Sequence, residues 1–362
     1  MAATNDCPVR WRGAWIGFDQ GRDAYDPSIP YYCADDFEKG ENQPFLPPPA
    51  LLRGEFTIPE GRVRAARLRV AAYGLAEVYL NGVRAVTGHM IPGLSDYRKR
   101  VYYREFDVAA LVTPGANALG AVLADGWYAG YIGLNPRGWW GANPRLSLML
   151  TVEYADGRAF EMGTDETWKA AFGPWRYADI MHGAGYDARL EREGWTLPGY
   201  DDGGWASVDT GAAYGHVPEP HPGVPVVEHE RIPVAERLAA DEDSVILDFG
   251  VCFSGVVRIT VSGEVGAEIG ILHAEQLKDG ELYLRGNRSA EAHDRYILRG
   301  GAEENFQPEF TYHGFRYAKV SGLKRARLIR AEGVAIGSHL PGETIFEAEH
   351  PVAQRVFEVV KH

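Results

Sequence analysis

Cysteine is scarce in this sequence, with three among 362 residues, at Cys7, Cys33 and Cys252. An odd number at wide spacing fits neither a disulfide framework nor a zinc ligand set, so all three read as reduced, structural residues. Methionine is equally rare, five against 43 Gly and 22 Pro, a balance that favours strands joined by tight turns over helices. Positive charge is in deficit, 37 Lys and Arg against 50 Asp and Glu, for a formal charge of −13. Such a chain is repelled by nucleic-acid backbones and anionic membranes, and neither is expected as a partner. No run approaches the roughly 20 apolar residues of a membrane span. The opening MAATNDCPVRWRGAW lacks the apolar core of a signal peptide, which makes a cytoplasmic location the expectation. Walker loops, G-x-S-x-G elbows and H-E-x-x-H helices are missing, which leaves nucleotide, serine-hydrolase and zincin chemistry without a motif.

What the sequence does have is aromatic residues, 12% of the chain with 19 Tyr and 9 Trp, and alternating apolar runs. LLRGEFTIP, VRAARLRVAAYG and AEVYLNGVRA read as successive strands, the last turning at Asn81-Gly82, a strong hairpin signal. YREFDVAALV, ALGAVLADGWY and RLSLMLTVEYADGRAFEMGTDETWKA continue the series, with a second turn at Ala155-Asp156-Gly157. A proline-rich stretch, HVPEPHPGVPVVEHERIP, reads as a linker or extended crossover. Strands resume in SVILDFG, GVVRITVSG, AEIGILHAEQL, RYILRG, FTYHGFRYAKVSG and RARLIRAEGVAIG. Only HPVAQRVFEVVKH has helical apolar spacing, at Val352, Val356, Phe357 and Val360. The prediction is an all-β chain of two β-sandwich domains with a short C-terminal helix. Residues 1–50 are an irregular segment packing on the first sandwich, 51–212 the first sandwich, 213–342 the second, and 343–362 a linker helix.

Carboxylates beside aromatics are the candidate sugar contacts, since a ring face stacks on a pyranose while carboxylates accept its hydroxyl protons. They are Asp125, Trp127 and Tyr128 in ADGWYAG, and Asp179, His182, Tyr186, Asp187 and Arg189 in YADIMHGAGYDAR. The plainer reading of each aspartate is a turn or surface residue capping backbone amides. His273 and Glu275 are spaced to share one face of a strand, but the cysteine pair of a zinc deaminase does not follow them. In FTYHGFRY, strand alternation puts Phe310, Tyr312, Gly314 and Arg316 on one face and Thr311, His313, Phe315 and Tyr317 on the other. Rings on both faces imply packing against a neighbouring surface, with Gly314 marking a bulge or close approach.

The ordered series LLRGEFTIP, AEVYLNGVRA, PGLSDYRKRVYYREFDVAALVTPGANALGAVLADGWYAG, YDAR, LDFGVCFSGVVRITVSG, HAEQL, RYILRGG and FQPEFTYHGFRYAKVSGL resembles the bacterial α-L-rhamnosidases of glycoside hydrolase family 78. The resemblance implies a first sandwich of jelly-roll or galactose-binding-like type and a second of concanavalin-like type. It also implies that catalysis, an inverting hydrolysis of terminal α-L-rhamnose, belongs to an (α/α)6 barrel for which no position here matches. The expected partners are L-rhamnose-containing glycosides and such a barrel, in cis or in trans. No cofactor is required, although some relatives bind rhamnose with the help of Ca²⁺. Relatives commonly carry a glutamate just before Tyr-Asp-Ala-Arg, where this chain has Ala184-Gly185. Three functions follow as expectations: an accessory, non-catalytic part of a rhamnosidase; a standalone L-rhamnose-binding protein; or a complete enzyme with its site between the β-domains, using Asp125 or Asp187.

Overall fold

The computed structural model describes residues 10–21, 44–133, 135–212, 214–340, 342 and 345–361. Cys7, Cys33 and most of the first 50 residues lie outside them. The described chain is β throughout, apart from two short 3₁₀ turns, one helical turn at Gly126–Ala129 and a helix at Pro351–Lys361. None of its helices is long and apolar enough to cross a membrane.

Three large sheets and one two-stranded ribbon, Leu277–Lys278 with Glu281–Leu282, make up the described residues. The outer sheet runs in the order Asp209–Thr210, Ile16–Gly17, Arg145–Tyr154, Val63–Tyr73, Tyr102–Asp107, Glu219–Pro220, with Ala159–Gly163 beside Arg145–Tyr154. The middle sheet runs Ala206–Ser207, Lys169–Phe172, Ala50–Ile58, Gly115–Ala124, Leu75–Leu80, Val83–Arg84. Its hairpin closes where the sequence predicts it. Asn81 (φ 52°) and Gly82 (φ 85°) both take left-handed backbone and bring Leu80 opposite Val83, the geometry that Asn-Gly supplies at little steric cost.

The middle sheet is covered on both sides. Leu52, Val78, Leu80, Leu119, Ala121 and Leu123 pack with Leu68, Val70, Leu148 and Leu150 of the outer sheet. Alternate residues on the same strands, Leu51, Leu75, Val122 and Ala124, join a second buried cluster with Leu247, Phe249, Ile259, Ile269, Ile271 and Phe315 of the third sheet. This double cover explains why GANALGAVLA is continuously buried over its last eight residues, the pattern of a strand with no solvent face. Each leucine so enclosed contributes on the order of 1.5–3 kcal/mol relative to exposure.

The third sheet orders Trp175–Asp179, Gly183–Asp187, His293–Ile297, Glu268–Ala274, His313–Ser321, Ser244–Gly263, Ala326–Ser338 and Val226–Pro233, with Glu236–Asp241 and Gly301–Phe306 also pairing with Ser244–Gly263. Ser244–Gly263 spans 20 residues and shifts register between Asp248 and Phe253. That irregularity bends it so that it can serve several partners. Two local expectations change here. The proline-rich crossover is itself strand at Val226–Pro233, hydrogen-bonded to Ala326–Ser338, with Pro233 at the terminal position that the missing N–H tolerates. Cys252 is a free thiol on the surface and has no structural packing role.

In FTYHGFRY the alternation holds from Thr311: Thr311, His313 and Phe315 are buried, and Tyr312 and Gly314 face out. Phe310 breaks the period because it precedes the strand with φ 63°, which turns its ring into the core. Gly314 marks neither a bulge nor a close approach. A Cβ there would meet only Glu275 Oε1 at 3.8 Å, and the bulge lies on the partner strand.

A titratable contact joins the first sandwich to the third sheet. His89 donates its backbone N–H to the Val226 carbonyl at 2.9 Å and lies between Glu309 (3.3 Å) and Glu228 (3.6 Å). Burial and nearby Arg84 oppose its charge, but the two carboxylates outweigh them and raise its pKa. A raised histidine stabilises the fold fully below the ordinary value near 6.5 and loses that contribution as pH rises through the folded value. The melting temperature of the wild-type protein should therefore fall more steeply as pH rises above about 6.5 than that of His89→Gln. Equal slopes in paired thermal scans would refute this linkage.

Candidate functional site: an aromatic cleft and a buried His-Asp-His cluster

The YADIMHGAGYDAR segment forms a hairpin on the edge of the third sheet, with Gly185 paired in parallel to Arg295. Asp179 builds its turn: one carboxylate oxygen accepts from the Met181 and His182 N–H groups (2.8 and 3.0 Å), the other from the Tyr131 N–H (2.8 Å). Burial nevertheless pushes its carboxyl up to about 6, and the charge of Asp125 adds to the effect. Gly183 has φ 102°, and a Cβ there would lie 2.4 Å from the His293 carbonyl oxygen. At Gly185 a Cβ would strike the Tyr177 ring at 2.2 Å. The Ala184-Gly185 pair, where relatives were expected to carry glutamate, is thus fixed by packing.

The predicted sugar contacts separate into two places. Asp125, Tyr128, Asp179 and His182 are interior. Asp125 accepts from Arg137 at 2.5 Å. Tyr128 packs at 5.2 Å against both Tyr73 and Tyr97, and burial raises its hydroxyl pKa to about 12. His182 stands edge-on to Tyr131 at 4.9 Å and is held neutral by burial, its pKa lowered to about 3. Trp127 is half-buried between two core clusters. With Asp125 bonded to Arg137 and Asp179 to three amides, these positions offer no group of open oxygens such as Ca²⁺ requires.

Tyr186 and Arg189, by contrast, line an open cleft of about 900 Å³ between the middle and third sheets, together with Trp175, Glu191, Trp195 and Arg299. Trp175 stands edge-on to Tyr186 at 4.7 Å, and Tyr186 stacks on Tyr296. The Tyr186 hydroxyl donates to Glu191 (3.0 Å), whose other oxygen accepts from Arg299 (2.6 Å). Asp187 grips Arg189 through two hydrogen bonds at 2.8 and 2.7 Å, which hold its carboxyl below the ordinary range. Trp195 is positioned from below by buried Arg53, which donates to the Trp195 and Leu197 carbonyls (3.0 and 3.1 Å) and pairs with Glu55 and Asp202. Neither Trp175 nor Trp195 was singled out from the sequence, because no motif ties them to YDAR.

The sequence also left unread a second constellation. His273, Asp294 and His313, from the ends of three neighbouring strands, bring one ligand atom each within 4.8 Å of the others. His273 Nδ1 donates to the Ala292 carbonyl at 2.8 Å. Its Nε2 faces Asp294 Oδ2 at 3.7 Å, and neither atom has a hydrogen-bond partner among the described residues. Asp294 Oδ1 accepts from the Ala184 N–H at 2.8 Å and lies 3.3 Å from His313 Nε2. Burial lowers the pKa of His273 to about 3, whereas the pKa of Asp294 is lowered despite its burial, through the neighbouring His313 and His273 and the Ala184 N–H. Glu275 is exposed and does not share the face of His273, because the strand ends at Ala274.

Residues 61–230 match the α-L-rhamnosidase N-terminal domain, and residues 238–337 match the bacterial α-L-rhamnosidase concanavalin-like domain. The chain is 43% identical over 276 residues to an α-L-rhamnosidase of Streptomyces avermitilis, a match covering 75% of this chain and 27% of that protein. It is 32% identical over 320 residues to an α-L-rhamnosidase of Alteromonas sp., covering 88% and 33%. It therefore spans about a third or less of the length of these curated relatives. Among solved structures, the S. avermitilis α-L-rhamnosidase complexed with L-rhamnose superposes with a TM-score of 0.82 at 38% identity, over 88% of this chain and 31% of that one. The Aspergillus terreus α-L-rhamnosidase does so at 0.83 and 28% identity, over 95% and 38%. Two family domains in order and these superpositions establish that the chain belongs to the bacterial α-L-rhamnosidases of glycoside hydrolase family 78, of which it carries the N-terminal and concanavalin-like domains.

Proposed function

We propose that this chain is the accessory, non-catalytic β-sandwich portion of an α-L-rhamnosidase, and that hydrolysis of terminal α-L-rhamnose depends on a helical barrel in cis or in trans. The observation that carries this reading is the state of the carboxylates. An inverting glycosidase holds two carboxyl groups roughly 6.5–9.5 Å apart across the scissile bond, one of them kept protonated. Here Asp125, Asp187 and Glu191 are each committed to an arginine, and Asp179 is enclosed with three amide donors. A complete enzyme using Asp125 or Asp187 would have to break those pairs. The helix Pro351–Lys361 turns Val352, Val356, Val359 and Val360 to solvent while Phe357 stacks on Phe346 at 4.8 Å. That apolar face suits a helical neighbour.

A second reading, binding of L-rhamnose itself, is favoured by the cleft, where Tyr186 and Trp195 offer ring surface beside Arg189 and Glu191. One pair of measurements tests both. The purified 362-residue chain should not turn over a nitrophenyl α-L-rhamnoside, and turnover that survives repurification would overturn the accessory role. Calorimetric titration with L-rhamnose should give a binding isotherm whose affinity Trp195→Ala weakens at least about fivefold, since a stacked ring contributes roughly 1–3 kcal/mol. No heat at millimolar sugar would remove the second reading and leave the first intact.

A further inference from the structure

We propose that His273, Asp294 and His313 form a buried structural site for a divalent transition-metal ion of the Zn²⁺ class, clasping three strands of the third sheet where the YDAR hairpin joins it. Among the described residues this is the one group of three His, Cys, Asp or Glu side chains whose ligand atoms converge.

The argument starts from two orphaned atoms. Asp294 and His273 are almost wholly enclosed, at 0% and 1% exposure. His273 Nδ1 faces a carbonyl oxygen, which can only accept, so that nitrogen carries the ring proton and Nε2 presents a lone pair. Asp294 Oδ2 presents another, 3.7 Å away. At that distance no hydrogen bond links them, and two unshielded lone pairs facing each other in a dry interior are unfavourable. A cation between them removes the conflict. Zn²⁺ lies roughly 2.0–2.2 Å from His and Asp ligands, which puts neighbouring ligand atoms about 3.3–3.6 Å apart; His273 Nε2 stands 3.7 Å from Asp294 Oδ2 and His313 Nε2 3.3 Å from Asp294 Oδ1, so the two oxygens of one carboxylate face the two imidazoles at such distances.

The surroundings match what a metal ligand needs. A histidine whose far nitrogen donates to a backbone carbonyl has its tautomer and ring orientation set in advance. The His313 ring stacks on His273 with centroids 4.3 Å apart, and the Phe315 ring closes the other side at 4.6 Å. Two imidazoles and one carboxylate form a donor set for Zn²⁺ or Co²⁺, not for Ca²⁺, which takes six to eight oxygens. Asp294 also accepts from the Ala184 N–H, so an ion held by Asp294 would fasten the hairpin carrying Tyr186 and Arg189 to the sheet.

The test uses the full 362-residue chain, stripped with a chelator and titrated with Co²⁺ alone. The expected result is one Co²⁺ per chain with the intense visible absorption of a tetrahedral site, displaced by Zn²⁺, and a denaturation midpoint that rises when Zn²⁺ is restored. Asp294→Asn and His313→Gln should each weaken Co²⁺ binding by roughly 100-fold or more, whereas His221→Gln, a histidine outside the cluster, should leave it unchanged. If a cluster variant does not fold, the wild-type titration and the Zn²⁺-dependent midpoint still decide. Absence of a saturating Co²⁺ signal, or binding that persists in a folded Asp294→Asn, would overturn the site.

Discussion

Phe315→Ala is expected to destabilise the protein by about 3–5 kcal/mol, the usual cost of removing a fully buried aromatic ring from a core that cannot collapse around the gap. Phe315 has 0% exposure and touches three rings, Phe253 at 4.4 Å, His273 at 4.6 Å and Phe249 at 5.6 Å. All three lie on strands already fixed by pairing, so little of the cavity can be refilled. Phe315→Leu, which retains most of the volume, should lose less than half as much. Urea denaturation of the two variants would check the order, and a cost below about 1 kcal/mol for the alanine variant would mean that the second core is loosely packed.

The second large effect is expected at Gly183→Ala. A side chain there is penalised twice. Its φ of 102° lies in a region that non-glycine residues enter at a cost of roughly 1–3 kcal/mol. The added Cβ would also stand 2.4 Å from the His293 carbonyl oxygen and 2.8 Å from Asp294 Oδ1, and overpacking against backbone costs roughly as much again. Together they amount to about 2–6 kcal/mol. Gly157→Ala provides the comparison, since Gly157 shares a left-handed φ of 87° but has nothing within 4 Å of the added atom. It should show only the backbone part. Similar losses at the two positions in parallel denaturation curves would mean that the hairpin moves freely away from Asp294.

How much of this was visible in the residues varies with the distance between partners. The Asn81-Gly82 turn, the strands around it and the eleven-residue helix at Pro351–Lys361 were legible because their signals are local: a left-handed dipeptide and a helical apolar period. The membership of YADIMHGAGYDAR in the third sheet was not, because it depends on a parallel pairing across about 110 residues, Gly185 with Arg295. The cleft shared this difficulty. Tyr186 and Arg189 were picked for their type, but Trp175 and Trp195 enter only once the middle and third sheets face each other. The His-Asp-His cluster was hidden most deeply, since its members are 21 and 19 residues apart on strands whose order in space differs from their order in the chain. His273 was noticed for a neighbour, Glu275, that points to solvent, when its real partners lie on adjacent strands.

The two family domains meet near residue 234, yet the middle sheet is wrapped by both of them. A recombination event that carried off the concanavalin-like half would strip Leu51, Leu75 and Val122 of most of their cover and leave them residues of their own half such as Trp175, Ala178, Ala184, Ala188 and Trp205, an invitation to aggregate. Each half therefore needs the other for its packing. Evolution would then preserve as one unit what family models divide into two, and substitutions on the strands Ala50–Ile58 and Gly115–Ala124 should be answered by compensating changes more than 120 residues downstream.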